Sequence, residues 1–196
     1  MSEPWPDLGA RVSRRGNRFT QWFGRTVFRA MGWRLIGQFP DRPKLIVAVA
    51  PHSSNIDFVL AAAVIWGYRL NARFLAKHTL FRFPLGSIIR LFGGIPVDRR
   101  SAQGLVGQMT EQFDASQGLI LGITPEGTRS RVREWRKGFA QIAAAAQVPV
   151  VPTIVNYDTR EVRFADVIDD TTDPEQILAR VQAEAATGVA RAAGPG

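Results

Sequence analysis

The chain contains no cysteine and only two histidines among its 196 residues. The lack of cysteine excludes disulfide bonds, thiolate nucleophiles and zinc sites built on sulfur. Two imidazoles leave little for a metal site made of histidine alone, and no resident cofactor is predicted. These absences fit a reducing, cytoplasmic setting.

Long hydrophobic runs are also missing. The longest apolar run in the middle of the chain, residues 58–68, has eleven residues, whereas a transmembrane helix needs about 20. The opening residues are acidic and contain proline, and no uninterrupted apolar stretch follows the arginines, so no secretory signal is predicted. We expect no membrane span and a location on the side of the membrane where the chain is made.

Acidic residues are scarce relative to basic ones. The chain has 25 Lys and Arg against 17 Asp and Glu, which gives a net charge of +8. The charge is +6 over residues 1–44, +6 over residues 45–157 and −4 over residues 158–196. This balance predicts an anionic partner, and nucleic acid, an acidic membrane face and phosphorylated small molecules all qualify.

The N-terminal segment, residues 1–43, combines arginine with aromatic residues. Seven arginines lie between residues 11 and 37. On a helix, one stripe at three- and four-residue spacing would contain Phe19, Trp22, Phe23, Val27 and Met31. Such a helix suits the surface of an anionic membrane, where each arginine adds about 1 kcal/mol of attraction. The alternative is that the stripe packs on the core of the protein.

The rest of the chain, residues 44–196, predicts a single α/β domain. The whole chain is 45% hydrophobic and 21% charged, which is typical of folded proteins. Apolar runs at 45–50, 73–76, 95–98, 119–123 and 148–155 indicate buried strands, with helical segments between them. We expect a sandwich with a largely parallel, mixed sheet, functional loops at the carboxyl ends of the strands, and a peripheral helix over 174–190.

The most informative pair of polar residues is His52 and Asp57, at a strand-to-helix junction. Five helical residues subtend about 140°, so contact between the two side chains requires the chain to turn around residues 53–55. Ser and Asn there favour such a turn. Asp57 would then fix the tautomer of His52 and leave its other nitrogen as a general base. A histidine that only caps a helix is the alternative.

Two arginines near later strand ends extend this prediction. Arg99 follows the strand at 95–98, and Arg129 follows the turn after the strand at 119–123. Guanidinium groups are planar, charged forks that bind phosphate oxygens well. Each could be an ordinary surface arginine, but together with His52 and Asp57 they predict a base beside a phosphate clamp.

Four motifs in this order resemble those of the glycerophospholipid acyltransferases, which include the 1-acylglycerol-3-phosphate acyltransferases. They are His-x4-Asp at 52–57, a glycine-led strand ending in Asp-Arg at 94–99, Pro-Glu-Gly-Thr-Arg-Ser at 125–130, and an apolar Val-Pro-x-x-Pro run at 148–152. The resemblance covers roughly residues 40–156.

The resemblance implies a role for each matching residue. His52 would be the general base and Asp57 its orienting partner. Arg99 and Arg129 would bind the phosphate of the acceptor, in a pocket shaped by Glu126, Gly127 and Thr128. The reaction implied is transfer of a fatty acyl group from acyl-CoA or acyl carrier protein to a lysophospholipid, most simply 1-acylglycerol-3-phosphate, at the cytoplasmic face of a membrane.

Two other classes of function stay open. A nucleic-acid-binding protein would explain the charge, but no helix-turn-helix, RNA-binding sheet or zinc motif is visible, and no nucleic acid is expected. A lipid-binding protein that keeps the fold without catalysis would not need a base. The acceptor, the donor, the preferred chain length and the oligomeric state are not predicted by the sequence.

Overall fold

A computed structural model describes residues 5–52, 54–97, 102–126 and 135–191. Within these ranges the chain forms seven strands, six α-helices and one short 3₁₀ helix, His78–Phe81. The strands are β1 Arg34–Ile36, β2 Lys44–Ala50, β3 Ala72–Lys77, β4 Gly94–Val97, β5 Leu119–Ile123, β6 Val150–Asn156 and β7 Glu161–Phe164. The α-helices are α1 Arg18–Ala30, α2 Asn55–Tyr68, α3 Leu85–Leu91, α4 Ala102–Ala115, α5 Gly138–Ala146 and α6 Pro174–Ala185.

The strands form one sheet in the order β1-β7-β6-β2-β5-β3-β4. The pair β6 and β7 is antiparallel, and the other neighbouring strands are parallel. The predicted α/β fold with a largely parallel, mixed sheet is therefore confirmed. Strand β2 lies in the middle, and the loop after it opens at the edge where the parallel strands end, which is where α/β proteins place their functional loops.

Helices cover both faces of the sheet, because side chains along β2 alternate between two buried clusters. Leu45 packs with Phe28 of α1 and Leu60 of α2. Its neighbour Ile46 packs with Met109 of α4 and residues of α5 and α6 on the other face. The N-terminal segment contributes α1 to this assembly, and β1 pairs with β7 at one end of the sheet.

Two details differ from the sequence-based prediction. Strands β1 and β7 were not predicted, since each has only three or four residues. The last helix, predicted to reach residue 190, ends at Ala185. Beyond it the chain pairs with β6 through Val189, and Gly188 passes so close to Pro51 that a Cβ would lie 2.7 Å from the proline ring. A continued helix could not make this contact.

Helix α1 packs on α2 through Gly24. A Cβ at this position would lie 2.6 Å from the Gly67 nitrogen and 2.7 Å from the Ala63 oxygen. Beside it, Arg25 Nε donates a hydrogen bond of 3.0 Å to the Gly67 carbonyl of α2. The two helix backbones can approach this closely only because Gly24 has no side chain.

We expect Gly24→Ala to lower the free energy of unfolding by about 2 kcal/mol, because the added methyl group must push the two backbones apart. The matched control is Gly107→Ala in α4, where a Cβ would meet nothing within 4 Å. That control should raise stability by about 0.5–1 kcal/mol through helix propensity. Urea unfolding of both variants measures the difference, and equal stabilities would show that the α1–α2 contact is not tight.

Among the described residues, no helix combines the length and the hydropathy that crossing a bilayer requires.

Candidate active site

The candidate site lies where β2 ends and α2 begins. His52 is in the connecting loop, and Asp57 is in the first turn of the helix. The chain turns between them as the sequence analysis required, and it brings His52 Nδ1 to 3.1 Å from Asp57 Oδ2. The His52 side chain is 18% exposed and that of Asp57 is 2% exposed. A buried carboxylate thus faces a histidine that solvent still reaches.

Asp57 is fixed by the start of its own helix. Ser54 is the N-cap residue, and its backbone N–H donates a hydrogen bond of 2.8 Å to Asp57 Oδ2. The Ser54 hydroxyl in turn accepts a hydrogen bond of 3.2 Å from Ile56 N–H. This capping box satisfies backbone donors at the helix start, and the helix dipole favours a negative charge there. Helix formation therefore positions the carboxylate that faces His52.

Tyr157 is a member of the site that the sequence analysis missed. It directly follows β6, and its hydroxyl donates a short hydrogen bond to Asp57 Oδ1. Burial, together with the hydrogen bond to Asp57, raises the pKa of Tyr157 well above its usual range. The phenol therefore stays protonated and remains a donor. Its position just after a strand at the functional edge of the sheet was the only signal available in the sequence.

Glu126 approaches His52 from the neighbouring strand. It follows β5, and its Oε2 accepts a hydrogen bond of 3.0 Å from the backbone N–H of His52. Burial raises the pKa of Glu126, while that hydrogen bond opposes the shift. The Glu126 carboxylate therefore holds the main chain of His52. The sequence analysis predicted Glu126 in a phosphate pocket and did not predict this contact.

A cleft opens beside these residues. Its volume is about 330 Å³. It is lined by Pro51 and Glu126 from the loops after β2 and β5, by Trp135, and by residues of α6 and its C-terminal end, Gln182, Ala185 and Ala186. Pro51 precedes His52 in the chain, so the cleft lies next to the loop that holds the histidine.

The other predicted site residues, Arg99, Gly127, Thr128 and Arg129, lie outside the residues that the structure describes. Within the described ranges, no three His, Asp or Glu side chains are close enough to hold a metal ion. The arrangement in the structure is a histidine with one ring nitrogen against a buried carboxylate. A proton on Nδ1 leaves the lone pair on Nε2, where it can accept a proton from a hydroxyl group.

Comparison with known proteins identifies similar chains. A protein-family model described as Acyltransferase matches residues 37–156, which include His52, Asp57 and Glu126. A 1-acyl-sn-glycerol-3-phosphate acyltransferase from Limnanthes alba is 29% identical over 159 residues, which are 78% of this chain and 54% of that protein. One from Borreliella burgdorferi is 31% identical over 99 residues, 48% of this chain and 39% of that protein. The chain thus spans about half the length of the first of these curated relatives.

A solved structure has the same fold. The crystal structure of the 1-acyl-sn-glycerophosphate (LPA) acyltransferase PlsC from Thermotoga maritima aligns with a TM-score of 0.56 and 19% identity, over 89% of this chain and 81% of that one. At this identity the likeness shows the fold. The sequence matches agree with the resemblance that the four motifs indicated.

Proposed function

Because this chain belongs to the acyltransferase family, we propose that it transfers a fatty acyl group from a thioester donor to the free hydroxyl of 1-acylglycerol-3-phosphate. The observation that carries the proposal is the pair of His52 and buried Asp57, joined at 3.1 Å at the carboxyl end of β2. The curated relatives, named as 1-acyl-sn-glycerol-3-phosphate acyltransferases, support the choice of acceptor.

In the proposed reaction, the oxygen of the acceptor hydroxyl attacks the carbonyl carbon of the thioester. At the same time His52 Nε2 takes the proton of that hydroxyl. The tetrahedral intermediate carries the negative charge on the former carbonyl oxygen, and its collapse breaks the carbon–sulfur bond. The thiol leaves with the proton that His52 holds, and the new ester remains on the lipid. Asp57 stabilises the imidazolium that forms in between. No acyl-enzyme is required, in keeping with the lack of cysteine.

The phosphate of the acceptor needs cationic partners. We assign this role to Arg99 and Arg129, with Gly127 and Thr128 in the same pocket, because arginine forks match phosphate oxygens. Glu126 would contribute by holding the loop of His52, because its carboxylate accepts a hydrogen bond from the His52 backbone N–H. Acyl-CoA and acyl carrier protein are both thioesters that this chemistry can use.

The direct test is acyl transfer by the purified full chain. Radiolabelled acyl-CoA and acyl carrier protein are offered in turn with lysophosphatidate, lysophosphatidylcholine and lysophosphatidylglycerol. Product with lysophosphatidate, formed at least about tenfold faster than with lysolipids of other headgroups, supports both the reaction and the acceptor. Product with another lysolipid and none with lysophosphatidate would mean that the acceptor is that other lysolipid. No product with any donor and acceptor would overturn the catalytic proposal and favour lipid binding without reaction.

We also propose that the protein acts as a peripheral enzyme on an anionic membrane, at the cytoplasmic face. The support comes from α1, where three aromatic residues in its first half are exposed. Phe19 is 67% exposed, Trp22 61% and Phe23 41%, whereas Gly24 and Phe28 form the buried side of the same helix. Val27 and Met31 of the same predicted stripe pack against the core, and the Phe23 ring meets Trp66 of α2 with centroids 5.7 Å apart. The stripe is therefore divided, and its exposed part is Phe19 and Trp22 with Phe23 beside them. Exposed Trp and Phe beside arginine are typical of helices that lie in the membrane interface.

The exposed apolar surface continues beyond α1. Phe58 and Val59 of α2 are about half exposed, and Phe83 and Leu91 are largely exposed. Between residues 58 and 97 the sequence has five Lys and Arg and no acidic residue. An apolar surface with only positive charge fits anionic lipid. Because Phe58 directly follows Asp57, lipid held at this surface would lie next to the candidate site.

We expect the double variant Phe19→Ser/Trp22→Ser to bind anionic vesicles at least about tenfold more weakly, since two aromatic rings no longer enter the interface. Co-sedimentation with phosphatidylglycerol-containing vesicles measures the effect. The matched control is Arg180→Gln, at an exposed position of α6 on the opposite face of the sheet, which should bind as the natural chain does. Equal loss in both variants would mean that net charge, and not α1, directs binding.

A further inference from the structure

We propose that Tyr157 is a positioning residue, which sets the orientation and the proton affinity of His52 through the carboxylate of Asp57. The inference rests on the proposed role of His52 as the general base, and it adds a residue that lies 100 positions away from Asp57 in the sequence.

The two oxygens of Asp57 have different partners. Oδ2 accepts the Ser54 backbone N–H at 2.8 Å and faces His52 Nδ1 at 3.1 Å. Oδ1 accepts the Tyr157 hydroxyl. The carboxylate therefore cannot rotate about its own axis without giving up one of these hydrogen bonds. Tyr157 thus keeps Oδ2 directed at His52.

Tyr157 is itself held by two parts of the fold. Its ring meets the buried ring of Trp33 edge to face, with centroids 5.0 Å apart. Its backbone N–H donates a hydrogen bond of 3.0 Å to the carbonyl of Val189, in the segment after α6. A ring packed on one side and a main chain tied on the other leave the hydroxyl little freedom. The donor is therefore in place before substrate binds.

The Tyr157 hydroxyl also affects how much negative charge Asp57 presents to His52. A donor to a carboxylate takes up part of its negative charge, so Asp57 stabilises the protonated form of His52 less than it would alone. Three more groups belong to the surroundings of this pair. Glu126 accepts the His52 backbone N–H, the Ser54 hydroxyl lies at the helix start, and Arg191 Nη1 donates to that hydroxyl at 3.2 Å. Tyr157 donates to Asp57 Oδ1, and its high pKa keeps it a donor at all working pH values.

The direction of the effect follows from these contacts. Without the Tyr157 hydroxyl, Asp57 carries more charge toward His52, and the protonated imidazole becomes more favourable. The protonated form of His52 is then favoured up to a higher pH than in the natural chain. A base must be unprotonated to work, so the acid limb of the kcat/KM profile moves to higher pH in Tyr157→Phe.

The experiment compares the natural chain with Tyr157→Phe, which keeps the ring against Trp33 and removes only the hydroxyl. For transfer to lysophosphatidate we expect kcat/KM to fall severalfold near pH 6 and to approach the natural value near pH 9, with KM changed less than kcat. The control is Tyr68→Phe, at the other tyrosine, whose buried hydroxyl has no hydrogen-bond partner among the residues that the structure describes. It should leave the profile unchanged. A loss in Tyr157→Phe that is equal at every pH would overturn the role of Tyr157 in the proton affinity of His52 and leave orientation as its one effect.

A second readout does not depend on catalysis. The chain has two histidines, so proton NMR of the ring C2–H signals, assigned with His78→Gln, follows His52 alone. Its titration midpoint should rise in Tyr157→Phe. In the Tyr68→Phe variant Tyr157 is the single tyrosine, so fluorotyrosine can be incorporated at this position alone. The fluorinated phenol is a stronger hydrogen-bond donor to Asp57, which should lower the titration midpoint of His52. Midpoints that do not move in these opposite directions would overturn the role of Tyr157. If they move while no lysolipid is acylated, the proposed reaction fails and the positioning role stands.

Discussion

Replacement of His52 by alanine is expected to reduce kcat/KM for acyl transfer by about 10³-fold. Without an imidazole, water must accept the proton of the attacking hydroxyl, and a positioned general base contributes roughly 10²- to 10⁴-fold. The fold should survive, because the His52 side chain is partly exposed and its backbone N–H still donates to Glu126. The measurement is transfer to lysophosphatidate, with a thermal unfolding curve of the same preparation.

The matched control for this variant is His78→Ala. His78 begins the short 3₁₀ helix and is exposed, so its loss should leave transfer within about twofold of the natural rate. A His52→Ala protein that is folded, binds anionic vesicles normally and still transfers acyl groups at near the natural rate would remove the basis of the mechanism. Inactivity of both histidine variants would indicate damage to the fold instead.

Asp57→Asn should reduce kcat/KM by about 10²- to 10³-fold. An asparagine of the same shape has one acceptor oxygen, for which Ser54 N–H, the Tyr157 hydroxyl and His52 compete. Its NH₂ group favours the His52 tautomer with the proton on Nε2, which cannot act as a base toward the substrate. The imidazolium that forms during the reaction also loses its counter-charge. The loss should appear in kcat more than in KM, since no contact with the substrate is removed.

The control for Asp57→Asn is Asp114→Asn, in the last turn of α4, where the carboxylate is exposed. It should leave transfer unchanged. High pH is expected to restore Tyr157→Phe but not Asp57→Asn, since a wrong tautomer is not corrected by removing protons from solution. Recovery of Asp57→Asn near pH 9 would show that Asp57 acts only by raising the proton affinity of His52.

Much of the sheet follows from local patterns. Short apolar runs rich in Val, Ile and Leu predicted β2 to β6, with helical segments between them. β1 and β7 escaped prediction because each is short, and β1 has one buried residue, Leu35. Such strands exist because a neighbouring strand offers free backbone groups to pair with. A sequence pattern does not contain that information.

The candidate site divides in the same way. His52 and Asp57 lie within one local turn, so residue types and spacing were enough to pair them. Tyr157 reaches Asp57 only because β6 runs parallel to β2, with Ala50 level with Ile154. A shift of one residue in this register would turn the side chain of Tyr157 to the other face of the sheet. Glu126 depends likewise on the pairing of β5 with β2.

The sequence by itself determined the residue chemistry of this protein: a histidine and a carboxylate at a strand-to-helix turn, an excess of positive charge, and an α/β order of elements. Tertiary structure alone decided which groups surround that pair and which side of α1 meets solvent. The period of a helix fixes the angles between side chains but not which side is covered. Here the missing side chain of Gly24 allows contact with α2, and this close packing leaves Phe19 and Trp22 facing outward.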